Sequence, residues 1–183
     1  MPRNNNRSKG IYDDTPHLFI EDPKVIWRNF RGEDYGKNPQ HAKGFSIEFD
    51  PEEYDIEKMI ADGWNIKTWI SKDNPDAAPI IHLPVAVRWD KFPPSIWMVS
   101  QSGTKPDGSP KYKRTLMDEE SSFALDTAQI VRIPLIEISH GYTQTNPNTG
   151  EPCIKAYLKK ATFELAQDRF DTLYDWDDEE DDE

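Results

Sequence analysis

The sequence has little cysteine, and its single thiol, Cys153, limits what the chain can build. One cysteine cannot form an internal disulfide or a thiolate metal cluster, and this composition is typical of proteins of a reducing cytosol. Long apolar runs are also missing, including the apolar stretch that a signal peptide needs near the N-terminus. No run is long enough to span a bilayer. The sequence therefore predicts a cytoplasmic protein without a membrane partner.

Motifs of catalysis are missing as well. The four histidines, at positions 17, 41, 82 and 140, are not at ligand spacing to one another or to Cys153. The chain has no Gly-rich phosphate loop, no nucleophile elbow and no His-Glu-x-x-His motif. Acidic residues near two predicted helix starts are accounted for by helix capping, although a buried carboxylate pair remains open. We expect a protein that is not an enzyme and that has no catalytic residues, no cofactor and no metal.

Negative charge is present in excess, and it is concentrated at one end of the chain. The sequence has 34 acidic and 22 basic residues, a formal net charge of −12. Nine of the acids lie between positions 171 and 183, where there is no Lys or Arg, so the rest of the chain has 25 acids against 22 bases. A dense block of like charge repels itself and stays extended. The sequence therefore predicts an acidic disordered tail over 169–183.

The acidic tail also contains large apolar side chains, which a segment that only improves solubility does not need. Acidic residues around a few hydrophobic anchors resemble a docking peptide. We expect the tail to bind other proteins and to compete with nucleic-acid phosphates for basic groups of the body; a purely solubilising role is the alternative. The predicted partner-binding residues are Leu173, Tyr174, Trp176, Asp177, Asp178, Glu179 and Glu180.

The body is predicted to be one mostly β domain over 16–168, preceded by a flexible basic arm over 1–15. Many short strands with one or two small helices favour a barrel or a sandwich. Alternating or apolar segments predict strands at 24–30, 44–49, 65–70, 80–89, 95–102, 128–144 and 153–165.

Capping and turn residues predict the remaining elements. Asp50 followed by Pro51 predicts the start of a helix that Gly63 ends, with Ile56, Met59 and Ile60 on its apolar face. A second short helix is predicted at 118–125. The Pro- and Gly-containing stretch 103–113 indicates a hairpin tip or a mobile loop.

The predicted strands and loops combine aromatic and basic side chains, which is what single-stranded nucleic acid requires. Cations contact the phosphates, and exposed rings stack on bases for roughly 1–3 kcal/mol each. The candidate DNA-binding residues are Arg28, Phe30, Arg31, Tyr35, Lys37, Lys43, Lys67, Trp69, Lys105, Lys111, Tyr112, Lys113, Arg114, Lys155, Tyr157 and Lys159.

The same residues also have a structural interpretation. Aromatic side chains at strand positions are usually core, as we expect for Trp64, Trp97 and Phe163. In the last predicted strand, the Lys155, Tyr157 and Lys159 side chains share one parity and are expected to face solvent or ligand. The side chains of 154, 156 and 158 should then face the core. Solvation alone is an alternative explanation of that basic face.

Several short motifs of the body match one protein family. They are Arg28-Asn29-Phe30 with Gly32, Gly44-Phe45, Asp62-Gly63-Trp64-Asn65-Ile66-Lys67, Thr115-Leu116-Met117-Asp118-Glu119-Glu120, Leu125-Asp126 and Lys155-Ala156-Tyr157-Leu158-Lys159. With these motifs the body, over about 28–159, resembles the single-stranded DNA-binding proteins of tailed bacteriophages. The acidic end is similar to the tails of phage and bacterial single-stranded DNA-binding proteins, which recruit replication partners. The resemblance implies an OB-like five-stranded barrel with extra strands or a hairpin, sequence-independent binding of single strands, and no catalytic residues.

Three functional hypotheses follow from these observations. The first is a phage single-stranded DNA-binding protein of replication or recombination, with protein partners recruited by the tail and a homo-oligomer as one option for its assembly. The second is a DNA-mimicking inhibitor or acidic adaptor of a host nucleic-acid-processing protein. Mimics spread their acids over the folded surface, whereas nine of 34 lie here in one terminal run. The third is a small nuclease or recombinase, for which the sequence offers no metal-ligand set.

Overall fold

The computed structural model of the chain describes residues 17–32, 43–90, 93–145 and 150–166. The helices are α1 (Ile56–Ala61), α2 (Glu119–Ser122) and a 3₁₀ helix (Phe123–Asp126). None of the helices in these ranges has the length and apolar character of a membrane span. The strands are β1 (Leu18–Glu21), β2 (Lys24–Asn29), β3 (Gly44–Glu48), β4 (Lys67–Trp69), β5 (Ile80–Ala86), β6 (Ser95–Thr104), β7 (Pro110–Met117), β8 (Ile130–Arg132), β9 (Leu135–Thr145) and β10 (Pro152–Leu165).

All ten strands belong to one sheet whose central member is β10. The main path of the sheet runs β1-β9-β10-β5-β3-β2, and β4 pairs with β5. The fourteen-residue β10 pairs in parallel with β5 and β6, and antiparallel with β8 and β9. Within the described ranges, the hairpin β6–β7 joins the sheet through β6 alone. The predicted mostly β class with short helices is confirmed, with ten strands in the sheet.

The hydrophobic core is built mostly from side chains of the strands. The Phe30 ring stacks 5.6 Å from that of Phe45 and meets the Phe163 ring edge-on at 6.0 Å, measured between ring centroids. Trp64 and Phe163 are buried, as predicted, whereas Trp97 is only partly buried. Cys153 is buried and carries a free thiol. Other fully buried side chains include Leu18, Ile47, Leu83, Ile96, Leu125, Ile136, Ile138 and Leu158.

The first helix begins later than the sequence predicted. Asp55, not Asp50, is its N-cap, and the Asp55 carboxylate accepts a hydrogen bond from the Lys58 amide at 3.1 Å. The Asp50 carboxylate instead accepts from the Glu52 amide at 2.9 Å and closes a turn. Of its predicted apolar face, Met59 is buried and Ile56 packs against the core, whereas Ile60 is 54% exposed. Gly63, with φ of +101°, does end the helical segment, since glycine adopts a positive φ without steric cost.

Strand bounds differ from the predictions where pairing partners, not local pattern, decide them. The predicted strand 128–144 is divided into β8 and β9 around Pro134, which has no N–H to donate. The stretch 103–113 is indeed a hairpin tip, but its tight turn covers only 105–109 and β7 follows at once. The strand β1, four residues long and paired with β9, was not predicted.

One close approach of two strands shapes the surface described below. A Cβ atom added at Gly44 in β3 would lie 2.2 Å from the Val85 carbonyl oxygen in β5. No side chain fits in that space, so glycine allows the two strands to meet there. The surface above this point is correspondingly concave.

Candidate nucleic-acid interface

A cavity of about 660 Å³ opens where β2, β3, β5 and β10 meet; we call it the basic cleft. Its wall is formed largely by the backbone and apolar side chains of β3 and β5. None of its lining residues that the structure describes is acidic. Four basic side chains line it: Arg28, Lys43, Lys67 and Lys155.

Two tryptophans mark one side of the basic cleft. Trp27 lines it and is 49% exposed, and Trp69 is 46% exposed. Their ring centroids are 5.8 Å apart at an interplanar angle of 73°, and the Trp27 ring lies 4.7 Å from that of His82. Lys67 and Trp69 share one face of β4, because alternate residues of a strand point the same way. Half-exposed rings beside cations form a surface on which bases can stack while phosphates are neutralised.

The backbone at Trp27 is unusual. In the pairing of β2 with β3, Ile26 lies opposite Ser46 and Asn29 opposite Gly44, so β2 carries one extra residue, a β-bulge. Trp27 has φ of +51°, a left-handed conformation that bulky residues rarely adopt. Such a conformation costs about 1–3 kcal/mol and persists only where the surroundings hold it. The bulge is what turns the Trp27 ring toward the basic cleft.

The four cations of the basic cleft are held differently. Lys43 forms an ion pair with Glu119 of α2, and its Nζ lies 5.0 Å from the centroid of the Phe123 ring. Lys155 Nζ lies 5.6 Å from the Tyr157 ring centroid. Among the described residues, no carboxylate pairs with Lys67 or Lys155. These two ammonium groups are therefore available to an anionic ligand.

The His82 ring packs edge-on against the Trp27 ring. This histidine is buried, and its Nδ1 lies 3.1 Å from the Ser46 hydroxyl oxygen. Burial lowers the pKa of His82, and the nearby positive charge of Lys67 lowers that pKa further. His82 is thus neutral at pH 7, and its ring packs beside Trp27 without adding charge to the basic cleft.

The lowered pKa of His82 predicts a loss of stability in mild acid. The unfolded chain binds this proton near the usual pKa of about 6.5, whereas the folded protein binds it only at lower pH. The contribution of His82 to stability is therefore complete above about pH 6.5 and is lost as the pH falls from there through the folded pKa. An NMR titration should give a pKa below 6.5 for this ring. Urea unfolding of His82→Gln should show a weaker pH dependence; a pKa at or above the usual value would contradict the expectation.

A second basic surface lies on the β6–β7 hairpin. Side chains of β7 from Lys111 to Leu116 are exposed, with Tyr112 64% exposed, and Lys105 stands at the tip. The Arg114 guanidinium lies 3.8 Å from the centroid of the partly buried Trp97 ring, a cation–π contact. The hairpin pairs with β10 at 160–164, whereas β5, in the wall of the basic cleft, pairs with it at 156–157. The two basic surfaces therefore adjoin different parts of β10.

The structure separates the sequence-predicted DNA-binding residues into groups. The basic cleft brings Arg28, Lys43, Lys67 and Lys155 together, with Trp69 beside it. Lys159 is exposed with Nζ 3.9 Å from Glu137 Oε1, and the Arg31 guanidinium lies 5.6 Å from the Phe123 ring centroid. The hairpin carries Lys105, Lys111, Tyr112, Lys113 and Arg114. The predicted residues Tyr35, Lys37, Leu173, Tyr174, Trp176, Asp177, Asp178, Glu179 and Glu180 lie outside the described residues.

Two of the predicted DNA-binding residues are buried. Phe30 is fully buried between two core phenylalanines, and Tyr157 is 2% exposed. The Tyr157 ring lies across Gly141 of β9, where an added Cβ would be 2.0 Å from its Cε2 atom. Residues 156, 157 and 158 pair with β9 in unbroken register, yet all three are buried, so the face of β10 that carries Tyr157 is covered at this point rather than open to solvent. Neither ring can stack on a base in this structure.

Trp27 is the residue that sequence reasoning missed. It stands in the aromatic and basic segment 24–31, which was the available signal. Regular alternation placed it on the same face as Val25 and Asn29, and a bulge cannot be recognised from alternation alone. Within the described residues, no three His, Cys, Asp or Glu side chains come together as a metal site would require.

Comparisons with known proteins were made for the whole chain. The family model described as "Putative phage ssDNA-binding domain" matches residues 7–182. A similar solved structure is the single-stranded DNA-binding protein from bacteriophage Enc34 in complex with ssDNA, at 12% identity and a TM-score of 0.50, covering 90% of this chain and 96% of that chain. A C-terminal truncation of the Enc34 protein matches at 12% identity and a TM-score of 0.48, covering 89% and 94%. At such identity, the first likeness shows a shared fold alone. No curated protein matches the chain.

Proposed function

The chain belongs to the phage ssDNA-binding domain family, and we propose that it binds single-stranded DNA without sequence preference along the basic cleft, in phage DNA replication or recombination. The observation that carries this proposal is the pair of half-exposed tryptophans beside four basic side chains. The Enc34 protein, which shares the fold, has a solved structure in complex with ssDNA. That complex supports the ligand class proposed here.

Each component of the basic cleft has a role in this proposal. Lys67 and Lys155 contact phosphates directly, and a phosphate replaces Glu119 as the partner of Lys43. Trp27 and Trp69 stack on bases. Every base presents a π-face, so stacking together with phosphate contacts binds a strand whatever its sequence. The hairpin residues from Lys105 to Arg114 extend the path for longer strands.

The acidic tail has a regulatory role in the same proposal. Its nine carboxylates compete with phosphates for the basic cleft, because both are anions that the same lysines attract. Leu173, Tyr174 and Trp176 supply the apolar contacts by which the tail recruits replication or recombination proteins. A strand that occupies the cleft frees the tail for such a partner.

Titration with poly-dT tests the function directly. Binding should quench tryptophan fluorescence, and the logarithm of the binding constant should fall linearly as the logarithm of the salt concentration rises. A gel shift should favour single-stranded over double-stranded oligonucleotides, and deletion of 171–183 should tighten binding. Absence of binding to poly-dT at low salt would refute the proposal. Capture of a host nuclease or polymerase by the body, without DNA binding, would favour the DNA-mimic hypothesis instead.

A further inference from the structure

Arg28, the arginine among the four cations of the basic cleft, uses its guanidinium to bind backbone carbonyl groups. Its Nη1 donates hydrogen bonds to the Leu125 carbonyl oxygen at 2.6 Å and to the Ala128 carbonyl oxygen at 2.7 Å. Both acceptors belong to the 3₁₀ helix or the turn that follows it. A charged donor shared by two carbonyls makes strong, directional bonds. A phosphate would have to displace both of them.

Asp126 forms a second connection between the same two segments. Its Oδ1 accepts from the Phe30 amide at 2.6 Å, and its Oδ2 accepts from the Arg31 amide at 3.2 Å. Four hydrogen bonds therefore join residues 28–31 to residues 125–128, nearly one hundred positions away. We call these four bonds the β2 clamp.

The β2 clamp lies directly after the strained residue. Trp27 has φ of +51°, and the next residue, Arg28, is already fixed by two of the four bonds. A β-bulge without such fixation can relax its backbone and turn the side chain away. His82 and Trp69 contact the Trp27 ring but do not fix its backbone conformation. The clamp is thus the contact in a position to keep the bulge in this form.

We propose that Arg28 and Asp126 are positioning residues that hold Trp27 in its base-stacking orientation, and that Arg28 is not a phosphate contact. This inference rests on the proposed function, because it assigns a role to groups at the same cleft. The positive charge of Arg28 suggested a direct DNA contact, whereas here Arg28 acts through Trp27. A phosphate contact and a positioning residue differ in a measurable way. Only the former changes the number of counterions released on binding, and hence the salt dependence.

The test compares Arg28→Met with Lys67→Met in the full-length protein, titrated with poly-dT at several salt concentrations. Lys67→Met should reduce the slope of log K against log salt by about 0.7. Arg28→Met should leave the slope unchanged and weaken binding by the same factor at every salt concentration. That factor should not exceed the contribution of one stacked base, which is about 5- to 150-fold. Arg28→Lys keeps the charge but not the two-carbonyl contact, so it should weaken binding as much as Arg28→Met does.

A double-variant comparison completes the test. In a Trp27→Leu background, Arg28→Met should cause no further loss, because the ring that it positions is already absent. If the Arg28 variants do not fold, Asp126→Ala provides the same measurement. Its thermal unfolding shows whether that variant is folded. A reduced slope for Arg28→Met, or wild-type affinity for Arg28→Lys, would overturn the inference.

The inference can fail or hold independently of the proposed function. The Trp27 indole N–H signal in ¹H–¹⁵N spectra of the DNA-free protein should shift in Arg28→Lys and Asp126→Ala, and an unchanged signal would also overturn it. If the wild-type protein does not bind poly-dT, the proposed function fails. If the wild type binds and the clamp variants bind as tightly as it does, the inference alone fails.

Discussion

Replacing Trp27 and Trp69 together by alanine is expected to weaken poly-dT binding by roughly 30-fold to 20,000-fold. Each stacked base contributes about 1–3 kcal/mol, and tenfold in affinity corresponds to about 1.4 kcal/mol. The two rings are 5.8 Å apart, so the effects of the single variants should not simply add to that of the double variant. Fluorescence anisotropy with a labelled dT oligonucleotide measures the change in affinity without relying on the tryptophans themselves.

The matched control for the tryptophan variant is Ile70→Ala. Ile70 follows Trp69 directly and is 58% exposed, so its truncation removes apolar surface at the same place without removing a ring. This control should bind as the wild type does. The salt slope should also stay the same in the double tryptophan variant, because its charge is unchanged. Wild-type affinity in that variant would show that bases do not stack at this end of the cleft.

Neutralising Lys43, Lys67 and Lys155 together should give the other large effect. Every lysine that neutralises one phosphate of a single strand adds about 0.7 to the slope of log K against log salt, so the slope of the triple Lys→Gln variant should be smaller by about two units. At low salt this corresponds to a decrease in affinity on the order of several hundred-fold. Lys43→Gln alone should have the smallest effect, because the wild-type side chain must exchange Glu119 for the phosphate.

The hairpin offers a charge-matched comparison for the cleft variant. Replacing Lys105, Lys111 and Lys113 by Gln removes the same number of charges, three, from a surface that adjoins a different part of β10. This variant should bind a short dT oligonucleotide with wild-type affinity and should weaken only the binding of oligonucleotides long enough to reach the hairpin. Equally weak binding of a short oligonucleotide by both triple variants would contradict the assignment of the cleft as the primary site.

Local sequence pattern predicted those parts of the site that depend on neighbouring residues. Lys67 and Trp69 lie on one face because strand alternation is local, and both side chains are exposed. The burial of Phe163 followed from its size and its strand position. The mostly β class followed from many short segments, each recognisable by itself.

The features that were missed depend on contacts between distant parts of the chain. The bulge at Trp27 exists only in the register between β2 and β3. The direction of the Arg28 side chain is decided by carbonyl groups 97 and 100 positions away. Tyr157 was predicted to be exposed because alternation does not show what covers a strand face, and its ring packs against Gly141 of β9. None of these contacts has a signature in the residues next to it.

The place of β10 in the chain has a consequence for how the protein is made. It is the last strand to be synthesised among the described residues, yet four other strands pair with it. A nascent chain that ends before residue 152 has β5, β6, β8 and β9 but not the strand that joins them. Assembly of this sheet therefore waits for β10 and depends on contacts between distant residues, which form slowly. The basic cleft, which includes Lys155 and Ala156, is completed only after β10 has been synthesised.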